Sequence, residues 1–274
     1  MARLDTPRHP IRVLRSALLL FVMLISAAEP STAATVTVPA SKDNTLIEDA
    51  EGALSNGAGP GVWAGKTAQV PGSSIRRAVL AFDLTGAVPP SAEITSVSLQ
   101  LTRVQGNPAT SLTVHRLSQS WGEGASSFGG GSGAPSEQGD ATWKHTFHDT
   151  SLWVTLGGDY APVPSAATFS EDGDVFTWTS VGLLSDVQAW RADPGSNHGW
   201  IVIGDETGTE EDPSTAVRFA SREIPVIADR PMLIIGYSQG VPMLRPRSVL
   251  LLVLALSGFG FVAGGKSQLV RRSL

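Results

Sequence analysis

Ile75-Arg76-Arg77-Ala78-Val79-Leu80-Ala81-Phe82-Asp83-Leu84-Thr85 is the stretch on which the fold is decided. From Ala78 every second residue (Ala78, Leu80, Phe82, Leu84) is apolar, while Arg77, Val79, Ala81 and Asp83 share the other face, so the period is two rather than 3.6. The reading is a β-strand inside a sandwich. Gly72 with Ser73-Ser74 ahead of it, and Gly86 with Pro89-Pro90 behind it, supply turn chemistry at both ends.

Working outward, short alternating runs are separated by Gly, Pro, Asn and Asp, the habit of an antiparallel all-β sandwich or barrel. Thr35 to Pro39 is the predicted first strand. Val97, Leu99 and Leu101 alternate with Ser98, Gln100 and Thr102, which predicts a strand wet on one face. Leu112 to Leu117, Trp200 to Ile203, Val217 to Ala220 and Leu233 to Tyr237 are further strands, and Leu80, Phe82, Leu99, Leu101, Phe219 and Leu233 are the predicted core. Lys42 to Gly65, acidic and then Gly-rich, reads as a long ordered loop. Ser120 to Ala166 reads as another, with Trp121, Trp143 and Trp153 arguing for order. One short helix breaks the pattern: Leu183, Leu184, Val187 and Trp190 fall at helical spacing, Thr179 or Ser180 can cap, and Asp193-Pro194-Gly195 stops the run.

Composition narrows the function classes. The chain has 274 residues, is 42% hydrophobic and contains no cysteine, so thiolate catalysis, disulfides and Cys-based zinc sites are excluded. Residues 35–240 hold 11 Lys/Arg against 23 Asp/Glu, and that excess of acid repels phosphate backbones, which argues against a nucleic-acid partner. Arg8, Arg12 and Arg15, the apolar run Ser16 to Ala28 and the small residues Ser31-Thr32-Ala33-Ala34 read as an export signal over 1–34, cleaved after Ala34.

The series Arg77 to Leu84, Ile94 to Leu101, Val114-His115-Arg116-Leu117 and Trp121-Gly122-Glu123-Gly124 resembles the DNRLRE domain family. Gly139 to Trp143, Val187 to Trp190, Asn197-His198-Gly199-Trp200, Phe219 to Glu223 and Pro231 to Ile235 continue the resemblance in order, over about Val38 to Tyr237. The resemblance implies a jelly-roll sandwich on an exported bacterial or archaeal protein, related to carbohydrate-binding modules.

The residues that could carry chemistry are few. Gly236-Tyr237-Ser238-Gln239-Gly240 fits the G-x-S-x-G nucleophile elbow, but Pro242 and Pro246 stand where its helix would run, and no Asp, Glu or His follows Ser238. His145 and His148, beside Trp143 and Asp149, are a conceivable zinc pair or the polar ends of a packed loop. Calcium is the expected cofactor, with Asp43, Asn44, Glu48 and Asp49 in the first loop and Asp205 and Glu206 at a strand end as its hard oxygen ligands. Arg77, Trp143 and His145 are the candidate ligand contacts. Arg76 and Arg77 suit an acidic sugar, though Arg77 suits a neighbouring-strand carboxylate equally well.

Val249 to Val262 is almost wholly apolar and is followed by Lys266, Arg271 and Arg272, which reads as a membrane helix with its basic end inside. The layout is similar to PEP-CTERM sorting tails cut by an exosortase, except that Met243-Leu244 follows Val241-Pro242. The expected organisation is a signal over 1–34, a sandwich over 35–238, a linker over 239–247, a transmembrane or sorting helix over 248–264 and a cytoplasmic tail over 265–274. The function expected is non-catalytic: an envelope-anchored module binding polysaccharide or matrix polymer. The alternatives are a purely structural matrix protein and an accessory subunit of a polysaccharide-degrading enzyme.

Overall fold

The computed structural model describes residues 31–70, 72, 74–106, 110–170, 173–208 and 214–240. The basic and apolar parts of the expected export signal, the linker beyond Gly240, the expected membrane helix and the basic tail lie outside the described residues. Among the described residues no helix is long and apolar enough to cross a membrane. The compact unit described below runs from Ala33 to Gln239.

Its elements are β1 (Ser31–Pro39), β2 (Lys42–Ile47), β3 (Leu54–Ser55), β4 (Gly61–Lys66), β5 (Ile75–Ala81), β6 (Glu93–Gly106) and β7 (Thr110–Arg116). The short β8 (Ala134–Pro135), β9 (His145–Phe147) and β10 (Ser151–Leu152) lie in the long loop. Then come β11 (Ala166–Ser170), β12 (Val175–Thr179), helix α1 (Val181–Ala192), β13 (Trp200–Ile203), β14 (Val217–Ala220) and β15 (Met232–Gly240). The main sheet is ordered β1-β15-β6-β14-β4-β5-β13-β7-β11, with β12 also on β6 and β2 also on β5. From β15 onward the pairs along this order, and those of β12 and β2, are antiparallel.

The sheet curls because β14 and β4 join the two halves, and the halves then face each other. Leu99 and Leu101 of β6, Phe176 and Trp178 of β12 and Leu233 and Ile235 of β15 pack in one core with Ala78 and Leu80 of β5, Leu112 and Val114 of β7 and Trp200 and Val202 of β13. This is an antiparallel all-β sandwich. All six residues predicted for the core lie in this cluster.

The other face of β5 is not wet. Val79 and Ala81 join Leu46, Leu117, Ile201 and the rings of Trp121, Trp143 and Trp153 in a second core, so the long loop packs as an outer layer over the sheet. Burying an aromatic ring of that size stabilises by about 1.5–3 kcal/mol, enough to hold a segment almost without regular structure. The tryptophans therefore mark order here, as expected.

Three expectations need correction. The segment Lys42 to Gly65 is not one loop: β2, β3 and β4 lie within it or run to its end. Its strand signal is masked because Asp43, Asn44 and Thr45 are polar yet fully buried, their hydrogen-bond partners coming from residues far away in sequence. Strands β11 and β12 were not expected, although Phe176 and Trp178 alternate with exposed Val175, Thr177 and Thr179. The last strand, expected over Leu233 to Tyr237, runs from Met232 to Gly240 and so includes Ser238, which sits opposite Glu93 in extended backbone.

Helix α1 is where the spacing placed it. Ser180 is the cap, its Oγ accepting from the N–H of Leu183 at 3.0 Å, and Leu183, Val187 and Trp190 are buried. Asp186 interrupts that inner face, but its Oδ2 accepts from Nε1 of Trp200 at 2.8 Å and from Oγ of Ser165. A buried acid so engaged ties the helix to β13.

Candidate functional site

A cavity of about 380 Å³ opens beside α1, lined by the Asp83–Pro90 turn, Ile94 of β6, Val187, Trp190 and Arg191 of α1, Pro194, Asn197 and Ile235 of β15. The turn forms because Oδ1 of Asp83 accepts from the N–H of Thr85 at 2.9 Å and Gly86 takes a φ of 70°. Hydrogen bonds from Thr85 hold the Asp83 carboxyl below the usual range, so this exposed rim group is a fixed anion at neutral pH.

Helix α1 builds the opposite rim. Nη2 of Arg191 donates to the carbonyls of Pro89 and Pro90 at 2.8 and 2.6 Å, Nη1 donates to that of Ala92, and Nε2 of Gln188 donates to that of Ile94 at 3.0 Å. These carbonyls precede or open β6 and two of them belong to prolines, so a side-chain clamp does what sheet pairing does elsewhere. Nδ2 of Asn197 donates to the Phe82 carbonyl at 2.9 Å, which fixes the third side. The chain can pass there only because Gly199 adopts a φ of 78° with its Cα hydrogen against the Leu80 carbonyl; a Cβ would lie 2.0 Å from that oxygen. The floor is apolar: Leu84, Val88, Ile94, Val187 and Ile235. Two buried wall atoms, Nε1 of Trp190 and Oδ1 of Asn197, have no partner among the described residues.

The three residues expected to touch ligand lie elsewhere. Arg77 makes a two-pronged pair with Glu206, Nε to Oε1 at 2.7 Å and Nη2 to Oε2 at 2.9 Å, and Nη1 donates to the Gly157 carbonyl at 2.8 Å. Its guanidinium also lies 4.8 Å from the Trp143 ring centre and 5.6 Å from that of Tyr160. Arg77 and Trp143 are thus brought together, but as a packed unit of the second core. His145 takes other partners: Nδ1 bonds Oγ1 of Thr142 at 3.0 Å, and its ring stands edge-on to that of His148 at 4.9 Å. Burial and the neighbouring His148 and Lys144 hold its pKa below the ordinary histidine value. Arg76, on the opposite side of β5, is buried and pushed down to about 10 by desolvation, with donors to the carbonyls of Gly131 and Ile75 and to Gln69.

The six expected calcium ligands do not converge. Glu48 Oε2 caps the N–H groups of Ser74 and Ile75 at 2.8 and 2.9 Å, and Asp49 caps those of Glu51 and Ala53. Asp205 accepts from Thr207 within its own turn, and Glu206 holds Arg77. Asn44 uses both ends on Ser55, Asn56 and the carbonyls of Glu123 and Ala141. Asp43 keeps a buried oxygen free: Oδ2 accepts from the N–H of Arg222 at 2.7 Å and Oδ1 is unpartnered. Among the described residues no three acidic or histidine side chains form a group able to hold a metal ion.

Asp43 belongs instead to a network that spacing did not reveal. Its N–H donates to Oε1 of Glu123 at 2.8 Å, Arg222 grips Glu123 through Nε and through Nη2 at 2.7 Å, and Glu223 lies 3.0 Å from the same Nε. Lys42 donates to the Trp121 carbonyl and lies 4.2 Å over its ring. Burial first, then the Glu223 carboxylate, raises the Asp43 pKa well above its usual value, and burial raises that of Glu223. The participants lie 80 and 179 positions from Asp43, so only the folded chain unites them. Trp121-Gly122-Glu123 and Arg222-Glu223 stood out in the family resemblance, a signal of place but not of partner.

No family model matches this chain, and no curated protein matches it. What the fold and the cavity define is therefore a class: an all-β sandwich with an apolar-floored, polar-rimmed pocket at one end of its core.

Proposed function

We propose that the chain is an exported, envelope-anchored, non-catalytic module, a jelly-roll sandwich of DNRLRE type, that binds carbohydrate or a matrix polymer. The observation that carries this reading is the cavity beside α1, which sets an apolar floor of Leu84, Val88, Val187 and Ile235 beneath a rim of Asp83, Thr85 and Asn197. A sugar ring presents C–H groups on its face and hydroxyls at its edge, and a pocket built this way meets both. The rim is held by Arg191 and Gln188 before any ligand arrives, so little ordering opposes binding. The basic n-region ahead of Ala34 and the apolar run before Lys266 support export and anchoring.

One observation favours the structural alternative: all seven tryptophans are buried, none more than 8% exposed, so none offers an open platform for a polymer. A glycan array probed with the full chain in detergent separates the two. Binding to at least one polysaccharide supports the module reading, and an array blank at high protein concentration leaves the structural role.

A further inference from the structure

Most cations of the sandwich are engaged by the protein itself, and Arg191 is the one cation that lines the cavity. Residues 35–240 contain 11 Lys and Arg, every one within the described residues. Five were met above: Lys42, Arg76, Arg77, Arg191 and Arg222. Of the rest, Arg103 pairs with Asp174 at 2.9 Å, Arg116 with Asp186 at 3.7 Å and Lys144 with Glu51 at 3.5 Å. Lys66 and Arg230 donate to the carbonyls of Thr207 and Ile224 at 2.7 Å, while Arg218 lies over the Trp63 ring with its Nε unpartnered among the described residues. Against them stand 23 acids.

Recognition of an anionic polymer needs guanidinium or ammonium groups turned outward, because each carboxylate or sulfate must exchange its water for a charged donor. At the cavity the one cation, Arg191, has Nη1 and Nη2 turned on three carbonyls, while the anion, Asp83, stands exposed on the rim. A uronate seated there would meet like charge with no free cation opposite, the one unpartnered donor of the wall being the neutral Nε1 of Trp190. A neutral ring would meet an acceptor for its hydroxyls and an apolar floor.

We infer that the module selects uncharged polysaccharides, seated in the cavity beside α1 against the Asp83–Pro90 turn, and excludes polyanions. This inference rests on the proposed binding function. The consequence for salt is direct, since binding that joins no opposite charges is not screened.

The test titrates the full chain in detergent with neutral oligosaccharides (β-glucan, xylan and mannan fragments) and with uronate oligomers, at about 20 and about 500 mM salt. Thr85→Trp fills the rim at an exposed position and leaves its N–H to Asp83; Pro90→Trp does the same from the other side should the first variant fold poorly. Expected are binding of a neutral fragment at least about tenfold tighter than of any uronate, an affinity indifferent to salt, and about tenfold loss in Thr85→Trp. Salt-sensitive binding of uronates with no neutral binding overturns the selectivity but leaves the module reading standing. Neutral binding untouched by both tryptophan variants overturns the cavity as the seat. If no saccharide of either charge binds, the binding function itself falls.

Discussion

Replacing Glu206 by Ala tests whether Arg77 is a structural cation or a ligand contact. The pair is two-pronged, and its side chains are 13% and 21% exposed. Breaking a fully buried pair costs about 3–5 kcal/mol, because one charge is left in low dielectric. An exposed pair contributes only about 0–1 kcal/mol. With partial solvent access, and with the Gly157 carbonyl and two aromatic rings still beside the guanidinium, the expected cost is between those limits, about 2 kcal/mol. For a unit of about 200 residues that corresponds to a fall in Tm of about 4–8 °C. The assay is thermal unfolding of a double-mutant cycle with Arg77→Met. The double variant should recover part of the loss, since Met fills the space between Trp143 and Tyr160 without an unpaired charge, giving a coupling of about 1 kcal/mol or more. Additive losses, with coupling under about 0.3 kcal/mol, would refute the reasoning. So would an Arg77→Met variant that keeps its Tm and loses glycan binding.

Further outcomes follow from the same geometry. Asp43 and Glu223 have folded-state pKa values above their unfolded ones, so their contribution to stability is full below the ordinary carboxylate range, about pH 4, and is lost as pH rises through the raised values. Tm should therefore fall as pH rises above about 4, and Asp43→Asn should flatten the profile; a rise in Tm on the same titration would contradict it. Gly199→Ala, strained and with its Cβ 2.0 Å from a carbonyl oxygen, should destabilise well beyond Gly86→Ala, which has a similar φ of 70° but open space, and equal melting shifts would count against the close approach. Ser238, extended opposite Glu93, should remain unlabelled by a fluorophosphonate, and stoichiometric labelling would restore the hydrolase reading. Because each of the six candidate ligands already holds a protein partner, melting with calcium and with EGTA should coincide; a shift abolished by Asp43→Asn would place a cation on its unpartnered oxygen.

The primary sequence alone determined the class of fold and much of its core. Alternation survives in local sequence wherever one face is apolar and the other polar, which is why β6, β7, β13, β14 and the helix at Val181–Ala192 were legible, with Leu80, Leu99 and Phe219 inside. The failures share one cause. In β2 the buried face is polar, and Asp43 and Asn44 look like loop residues until Glu123, Ser55, Ala141 and Arg222 arrive to satisfy them. Likewise the partners of Glu48, Glu206 and Arg77 are not legible in the residues beside them. Glu206 lies 129 residues from Arg77, and Arg191 reaches 99 to 102 residues back to the rim it holds. Only the tertiary structure decided those matters, because a polar side chain's role is set by the group that completes its hydrogen bonds, and that group is chosen by how the sheet curls rather than by neighbours along the chain.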